Sequence, residues 1–262
     1  MPDPSERSPV SDSQRSDMVG KALRLLTLLG EAPGGMTLSE LARRAGYPVS
    51  TTHRLLASIA REEFAVLDDD RRWSLGLRMF ELGQRVLHAK GFAGVATPVL
   101  QRLTRQTGEP SLMSVLEGHQ QLYVHYVEGT QQVQITGEPG KRGPLHCTSM
   151  GKCLIAFAPE QHREELLTEL DLPAMGPNTI TDRQRFRTEI EQVRAQGYAV
   201  SDEEHEAGIL AIGVPVLDPG GTAAAALSAA APAFRSSIEQ MHAYLPPLHQ
   251  AAKELAIGLP RR

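Results

Sequence analysis

The sequence lacks the features of a disulfide-stabilised or membrane-spanning protein. Its 262 residues include only two cysteines, Cys147 and Cys153, which cannot form a disulfide framework for a chain of this length. No segment approaches the roughly 18–20 consecutive apolar residues that a membrane span needs. We therefore expect a reducing, cytoplasmic location and no membrane partner.

The chain also lacks an excess of positive charge. Its formal net charge of −4 argues against a protein that coats nucleic acid indiscriminately, but it is compatible with a small basic face on an acidic body. Residues 1–17 are rich in proline, serine and charge without an apolar core, so they resemble neither a signal peptide nor an independently folding segment. We expect these residues to form a disordered arm. The remainder is long enough for one large or two modest domains.

A helix-turn-helix is predicted after a first amphipathic helix. Thr37 and Glu40 form a T-x-x-E capping box, which places a helix start at Leu38. Gly46 ends that helix, and Pro48 suits the first turn of the next. Apolar or small residues recur at helical spacing and should face inward: Leu38, Leu41, Ala42 and Ala45 in one helix, and Thr52, Leu55, Leu56 and Ile59 in the other. Two short helices joined by a glycine-containing turn are typical of this motif.

The opposite face of the second helix is polar and basic, which suits contact with DNA. Hydroxyl side chains near a helix N-terminus let backbone N–H groups approach phosphate, and Arg54 can reach a base edge or a phosphate. Two β-prone runs, residues 64–67 and 73–75, then predict a hairpin and so a winged helix-turn-helix. The predicted DNA-contacting residues are Arg43, Arg44, Ser50, Thr51, Thr52, His53, Arg54, Arg71 and Arg72.

Two observations leave alternatives open for this segment. An ordinary helical hairpin with a solvated polar face would show the same periodicity. The carboxylates of Asp68, Asp69 and Asp70 also count against contact between the wing and a duplex. A protein-binding adaptor, in which the winged helix contacts protein, is therefore a further possibility.

The second half of the chain has the pattern of an α+β domain, with grouped antiparallel strands and helices elsewhere. A helical stretch from Leu77 should bridge to it, and another helix should end at Gly108. Strands are expected at residues 111–116, 121–127, 132–136, 198–201, 209–217 and 223–228. Further helices are expected at residues 149–158, 160–170, 182–196, 236–244 and 248–257.

The segment LHCTSMGKCLIA, residues 145–156, has the look of an enzyme site. Compared with a phosphate-binding loop, however, His146 replaces the required glycine and Cys153 the required hydroxyl. Ser149 and Lys152 match S-x-x-K, but its partner strings are absent. A serine-dependent hydrolase or acyl-transferase built on these two residues is the alternative function.

Metal binding is not favoured by the sequence either. His146, Cys147, Cys153 and His162 lack C-x-x-C spacing, and half of them fall on a helix at diverging angles. The acidic run at residues 202–206 could suggest a metal site, but a solvated turn with a capping or interface role is the favoured interpretation. We therefore predict no catalytic residues, no metal site and no cofactor.

Several strings occur in an order that resembles the isocitrate lyase regulator (IclR) family of bacterial transcription factors. They are ALRLLTLL, LSELARRAGYPVSTTHRLLASI, WSLGLRMFELG, GPLHCTSMGKCLIAF, GYAVSDEEHEAGILAIGVPVLD and AALSAAAPAFR. The resemblance covers about residues 18–258. It implies a winged helix-turn-helix domain at residues 18–76 and a linker helix at 77–91. It also implies an antiparallel-sheet effector-binding domain of GAF- or profilin-like fold at 92–258, followed by a tail at 259–262.

The resemblance also carries functional expectations. It implies a cytoplasmic, non-catalytic homodimer or homotetramer that binds double-stranded operator DNA, commonly as a repressor. A small effector, often an organic acid, should bind in the C-terminal domain and modulate DNA binding. The positions that match the family's effector pocket are Ile135, Ser149, Met150, Gly151, Ser201, Ile209, Ala211 and Ser228.

Physical chemistry supports an anion at the same place. The HCTSMGK segment turns a loop into a helix N-terminus, where free N–H groups and the helix dipole favour negative charge. We hypothesise that Ser149, Met150 and Gly151 hold a carboxylate through backbone N–H groups, while Lys152 points away to cap or pair.

The departures from the family's pattern bear on the effector. Ala211 stands where the family often has cysteine, Ser201 where many relatives have aspartate, and Ala230 follows Ser228 as the next inward position. These changes make the pocket more apolar. They favour an aromatic or medium-chain acid over a very small keto acid.

Overall fold

The computed structural model describes residues 18–89 and 94–258. The predicted arm at residues 1–17 and the tail at 259–262 lie outside the described residues. The chain forms two compact units, divided between Val86 and Leu87, which are called the N-terminal and C-terminal units below. No helix within the described ranges is long and apolar enough to cross a lipid bilayer.

The N-terminal unit is a helix-turn-helix followed by a hairpin. Its elements are α1 (Met18–Gly30), β1 (Met36–Thr37), α2 (Leu38–Ala45), α3 (Val49–Arg61), β2 (Ala65–Leu67) and β3 (Arg72–Leu75). The next helix, α4 (Leu77–Ala89), begins in this unit and continues past the division at Val86. The three strands form an antiparallel sheet in the order β1-β3-β2. The predicted helix pair and wing are therefore confirmed.

Local sequence signals set the ends of α2. The Thr37 hydroxyl accepts the Glu40 N–H, and the Glu40 carboxylate accepts the Thr37 N–H at 2.8 Å, so the capping box is complete. Gly46 ends the helix in the left-handed conformation with φ 73°. Apolar side chains of α1, α2 and α3 then pack with Trp73 of the wing into one core, including Leu25, Leu41, Leu55, Leu56 and Ile59. That packing fixes which face of α3 remains in solvent.

The C-terminal unit is an antiparallel sheet with helices on both faces. Its elements are α5 (Ala96–Thr107), β4 (Ser111–Glu117), β5 (Gln120–Val127), β6 (Arg142–Gly143), α6 (Ser149–Ala156), α7 (Glu160–Glu169), α8 (Arg183–Gln196), β7 (Ala199–Asp202), β8 (Ile209–Leu217), β9 (Ala223–Pro232), α9 (Ile238–His242) and α10 (Leu245–Ile257). The sheet order in the described chain is β6-β5-β4-β9-β8-β7. The α+β architecture predicted from the sequence is confirmed.

Both faces of β8 and β9 are buried, which explains their apolar sequences. Alternate residues such as Ile212 and Leu227 pack with α5, α9 and α10. Residues of opposite parity, such as Ala226 and Ala230, pack with α6, α7 and α8. A central strand covered by helices on each side has no polar face, so period-two alternation disappears from its sequence.

The strand predicted at residues 132–136 is wrong. The chain makes bends and an irregular path there, and the two-residue strand β6 takes the edge position beside β5 instead. The Gln134 side chain bonds to Glu128 at 2.7 Å, which is a local contact and not a ladder. Gly137 passes so close to β5 that a β-carbon there would lie 2.6 Å from the Tyr126 ring. The segment therefore folds over the sheet as a loop.

Candidate functional site

The solvent face of α3 carries the polar residues that the sequence placed there. Ser50, His53 and Arg54 are exposed, and Thr51 is partly exposed. The helix begins after Pro48 without a side-chain cap, and in the described structure no acceptor is bonded to the N–H groups of Ser50 and Thr51. Free N–H groups at a helix start suit phosphate, and exposed Arg54 lies one turn further along the same surface.

Thr52 is a correction to the predicted DNA-contacting set. It is fully buried, and its hydroxyl donates to the Pro48 carbonyl oxygen at 3.1 Å. The inward position follows from the same periodicity that buries Leu55 and Leu56. Thr52 therefore stabilises the start of α3 and presents nothing to a duplex.

The arginines near the wing fall into two groups. The guanidinium of Arg72 donates to the carbonyl oxygens of Gly34 and Gly35 at 2.9 and 2.8 Å, which ties β3 to the turn before β1. Arg44 pairs with Glu31 at 2.7 Å. Arg43 and Arg71 are exposed, so they are the arginines of this set most open to a ligand.

The tip of the wing is shaped by an aspartate. Arg71 adopts the left-handed conformation with φ 58°, and the Asp68 carboxylate accepts the Arg72 N–H at 2.8 Å. Asp68 and Arg72 also share a backbone hydrogen bond at 3.0 Å. Asp68 therefore closes the turn, which gives one of the three wing carboxylates a structural role.

The C-terminal unit contains a cavity of about 270 Å³ beside the first turn of α6. Its walls come from β7, β8, β9, α6 and the irregular segment before β6. Seven of the eight predicted effector residues line it: Ile135, Ser149, Met150, Ser201, Ile209, Ala211 and Ser228. Sequence reasoning missed other lining residues, among them Leu112, Tyr123, Thr148, His205 and Glu206.

Gly151 is the predicted residue that does not line the cavity. Its N–H donates to the Thr148 hydroxyl at 3.0 Å, so that group is already used to cap α6. A β-carbon at this position would stand 2.2 Å from the Leu145 carbonyl oxygen. Gly151 is thus required for close packing of α6 against the preceding turn, and the hypothesis that its N–H binds a carboxylate is corrected.

The N–H groups of Ser149 and Met150 are still available to bind a carboxylate. In the part of the chain that the structure describes, neither donates to an acceptor. Both residues line the cavity at the positive end of the α6 dipole. The start of α6 is therefore a place where an anion inside the cavity gains two donors.

A buried polar chain fixes the turn that leads into α6. The Gln121 amide donates to the Pro144 carbonyl oxygen at 3.0 Å and to the Thr148 hydroxyl at 2.7 Å. The Ser114 hydroxyl donates to the Gln121 carbonyl oxygen at 2.9 Å. Because these partners lie on β4 and β5, the first turn of α6 is held in place by the sheet.

The side chains in the cavity combine apolar walls with a few hydroxyls. Burial raises the pKa of Tyr123, so its phenol stays neutral and can donate. The Ser201 hydroxyl donates to the Cys147 carbonyl oxygen at 2.9 Å, so it has no further proton to donate to a ligand. The apolar lining residues are Leu112, Ile135, Met150, Ile209, Ala211 and Ala230.

Charged side chains of both signs lie among the residues that surround the cavity. Lys141 pairs with Glu138 at 2.6 Å. The Arg142 guanidinium donates to the Glu117 carbonyl oxygen at 3.4 Å, and Glu206 is a second carboxylate of the lining. The lining therefore carries no excess of positive charge.

The resemblance of Ser149 and Lys152 to a catalytic pair does not extend to geometry. The Lys152 ammonium is 2.7 Å from carboxylate oxygens of Glu189 and Glu204, so these carboxylates, and not Ser149, are its hydrogen-bond partners. Lys152 thus points away from the cavity to pair, as expected. The structure corrects the solvated-turn interpretation of the acidic run at Glu204, which is buried.

The two cysteines and the histidines form no reactive cluster. Burial raises the pKa of the Cys147 and Cys153 thiols to about 12, so neither is a thiolate at neutral pH. Within residues 18–89 and 94–258, no three His, Cys, Asp or Glu side chains converge to hold a metal ion.

Family models match both units of the chain. The IclR helix-turn-helix domain matches residues 18–69, and the model described as bacterial transcriptional regulator IclR C-terminal matches residues 84–257. Together these models cover more than half of the sequence.

Similar proteins span nearly the whole length. The HTH-type transcriptional regulator BhcR of Paracoccus denitrificans is 32% identical, over 96% of this chain and 90% of its own. The transcriptional repressor IclR of Escherichia coli is 28% identical, over 91% and 88%. The solved IclR of Thermotoga maritima has a TM-score of 0.77 at 30% identity, covering 91% of this chain and 97% of its own. An IclR homologue from Microbacterium hydrocarbonoxydans, complexed with 4-hydroxybenzoate, has a TM-score of 0.83 at 29% identity, covering 92% and 98%.

Proposed function

Because the chain belongs to the IclR family of bacterial transcriptional regulators, we propose that it represses its target genes under the control of a small carboxylate. It is a transcriptional regulator that binds DNA through its helix-turn-helix, and it is not an enzyme. Repression is proposed because relatives of similar length, including that of Escherichia coli, are named repressors.

The ligand that suits the cavity best is a monocarboxylate with an apolar body. Its carboxylate would accept the N–H groups of Ser149 and Met150, with the hydroxyls of Ser149 and Tyr123 as further donors. Its body would lie against Leu112, Ile135 and the other apolar lining residues. Because Lys141 and Arg142 of the lining are balanced in charge by Glu138 and Glu206, a second carboxylate would add a negative charge in excess of the cations present.

The size of the cavity points to an aromatic acid of one ring. A volume of about 270 Å³ lies near the lower end of the roughly 300–1,000 Å³ typical of ligand pockets. The Microbacterium homologue, complexed with 4-hydroxybenzoate, supports the same class. Glyoxylate-sized acids would leave the apolar walls without contacts, which disfavours them here.

On DNA, we propose that residues 18–76 form the binding domain, 77–91 the linker and 92–258 the effector domain, where residues 90–93 lie outside the described residues. A cytoplasmic homodimer, or a tetramer built from it, would place two α3 helices in successive major grooves. The contacting residues would be Arg43, Ser50, Thr51, His53, Arg54 and Arg71, which are exposed or partly exposed. Arg44 and Arg72 are left out because Arg44 pairs with Glu31 and Arg72 bonds to the carbonyl oxygens of Gly34 and Gly35. Ligand binding would then change the population of the arrangement that fits the operator.

The proposal rests mainly on two N–H groups, those of Ser149 and Met150, which have no hydrogen-bond acceptor in the described structure. Both residues line a cavity with largely apolar walls. Thermal unfolding of the purified chain with benzoate, 4-hydroxybenzoate, octanoate and glyoxylate tests it, since a bound ligand raises the midpoint by mass action. Aromatic acids should raise the midpoint most. Stabilisation by glyoxylate alone would contradict the proposed ligand class, and a gel shift with DNA upstream of the chain's own gene tests operator binding separately.

A further inference from the structure

Lys152 is buried in the C-terminal unit between two carboxylates. Its side chain is 1% exposed, and its ammonium donates to Oε1 of Glu189 and to Oε1 of Glu204, each at 2.7 Å. A charge this far from water is costly unless partners compensate its desolvation. Glu189 lies on α8 and Glu204 between β7 and β8, so Lys152 connects α6 to two segments that are distant in sequence.

The loop of residues 203–208, here called the mouth loop, carries one of these carboxylates. Glu203 adopts φ 51°, and its carboxylate accepts the Gly208 N–H at 2.6 Å, which closes the loop on itself. Glu204 is buried, whereas the next two residues, His205 and Glu206, line the ligand cavity. The position of this cavity wall therefore depends on how Glu204 is held.

The other end of the ion pair is on α6, whose first turn supplies another part of the cavity wall. Lys152 follows Ser149 and Met150 within the first two turns of α6, and both of those residues line the cavity. The contact between Lys152 and Glu204 thus connects two elements of the cavity wall, which are α6 and the mouth loop. Glu189 holds the same ammonium from α8 and is not part of the cavity lining.

We infer that Lys152 and Glu204 are positioning residues of the ligand cavity, because their ion pair sets the separation between the start of α6 and the mouth loop. The inference rests on the proposed function, since it assigns a role at the proposed ligand site. Neither residue contacts the ligand. They fix the distance of His205 and Glu206 from Ser149, and this distance sets the volume of the cavity.

The surroundings of Glu204 are consistent with this role. Within the described residues its second oxygen, Oε2, has no hydrogen-bond partner, so Lys152 is the side chain that holds the carboxylate. The backbone of the mouth loop has separate supports, since the Glu204 carbonyl oxygen accepts the Gly176 N–H at 2.9 Å and the Thr179 hydroxyl. Removing the charge of Glu204 therefore loosens the loop without removing its backbone attachments.

Two matched variants test the inference, because each leaves Lys152 with one carboxylate. Glu204→Gln removes the charge on the cavity side, and Glu189→Gln removes it on the α8 side. Hydrogen–deuterium exchange of peptides covering residues 203–208 should speed up by at least about fivefold in Glu204→Gln and stay near the wild-type rate in Glu189→Gln. Equal acceleration in both variants, or in neither, overturns the inference.

Affinity for 4-hydroxybenzoate, measured by calorimetry, gives the second readout. It should be about three- to tenfold weaker in Glu204→Gln and unchanged in Glu189→Gln, even where both variants lose similar thermal stability. Equal affinities in the two variants overturn the inference. A wild-type chain that binds none of the carboxylates contradicts the proposed ligand class, whereas the exchange comparison needs no ligand and still decides the role of the ion pair.

Discussion

Gly151 of α6 lies against Leu145 so closely that a β-carbon at position 151 would stand 2.2 Å from the Leu145 carbonyl oxygen. The approach brings the first turn of α6 onto the chain that precedes it. The part of the cavity wall that α6 supplies depends on this contact, since Ser149 and Met150 belong to the same turn.

Gly151→Ala should therefore destabilise the C-terminal unit by about 2–4 kcal/mol, because backbone must shift to admit the methyl group. Chemical denaturation followed by circular dichroism measures this loss. Gly83→Ala in α4 is the matched control, because no atom lies within 4 Å of its added methyl, and alanine is the better helix former. A Gly151→Ala variant as stable as Gly83→Ala would show that α6 tolerates a wider spacing from Leu145.

Arg54→Ala should weaken operator binding by about 1–3 kcal/mol while leaving carboxylate binding intact. The reason is that Arg54 is exposed on α3 and makes no ion pair within the described structure. Gel shifts and calorimetry on the same preparation measure the two activities. Loss of both together would identify Arg54 as a folding residue.

Arg72→Ala separates a wing contact from a structural role. Because the Arg72 guanidinium bonds to the carbonyl oxygens of Gly34 and Gly35, its loss should lower the unfolding free energy of the N-terminal unit by about 1–2 kcal/mol. Operator affinity of the folded fraction should fall less than in Arg54→Ala. A large loss of affinity at unchanged stability would instead assign Arg72 to phosphate contact.

The pH dependence of stability should include a contribution from His125. Burial lowers the pKa of His125, so the unfolded chain takes up a proton at higher pH than the folded chain does. Stability is then greatest above the unfolded pKa of about 6.5 and falls as pH drops from there toward the lowered folded pKa. Burial lowers the pKa of His146 and His249 in the same direction.

His125→Leu should consequently show a smaller drop in unfolding temperature than the wild type between about pH 7.5 and about pH 5.5. Exposed His53→Gln is the control and should reproduce the wild-type drop. An unchanged drop in His125→Leu would mean that other groups set the acid sensitivity.

Local signals allowed much of the N-terminal unit to be predicted. The capping box of Thr37 and Glu40 and the stop at Gly46 act within one turn, so short-range chemistry decides them. The helical periodicity also predicts that Thr52 faces inward, and the structure buries it. The same residue nevertheless stands in the predicted DNA-contacting set. The error arose because a hydroxyl near a helix start suits two roles that only packing distinguishes.

Part of the ligand cavity could not be predicted from the sequence. The family resemblance identified most of its lining, but Tyr123 and His205 come from segments that meet only through the sheet. Residues 132–136 alternate as a strand would, yet the neighbouring edge is taken by β6. Glu204 lies in an acidic run typical of solvent, and its burial follows from Lys152, a residue 52 positions away.

We expect that an aromatic monocarboxylate bound in the cavity beside α6 controls the affinity of the protein for operator DNA. Ala211 lines the cavity and is partly buried, so the larger side chain of Ala211→Leu should fill part of the cavity. The most direct measurement is a titration of 4-hydroxybenzoate into operator-bound protein, followed by fluorescence anisotropy of the labelled DNA. Operator affinity of the wild type should change with ligand, and Ala211→Leu should bind the operator normally but require at least about tenfold more ligand. An identical response of the two proteins would show that the ligand acts from another site and not from this cavity.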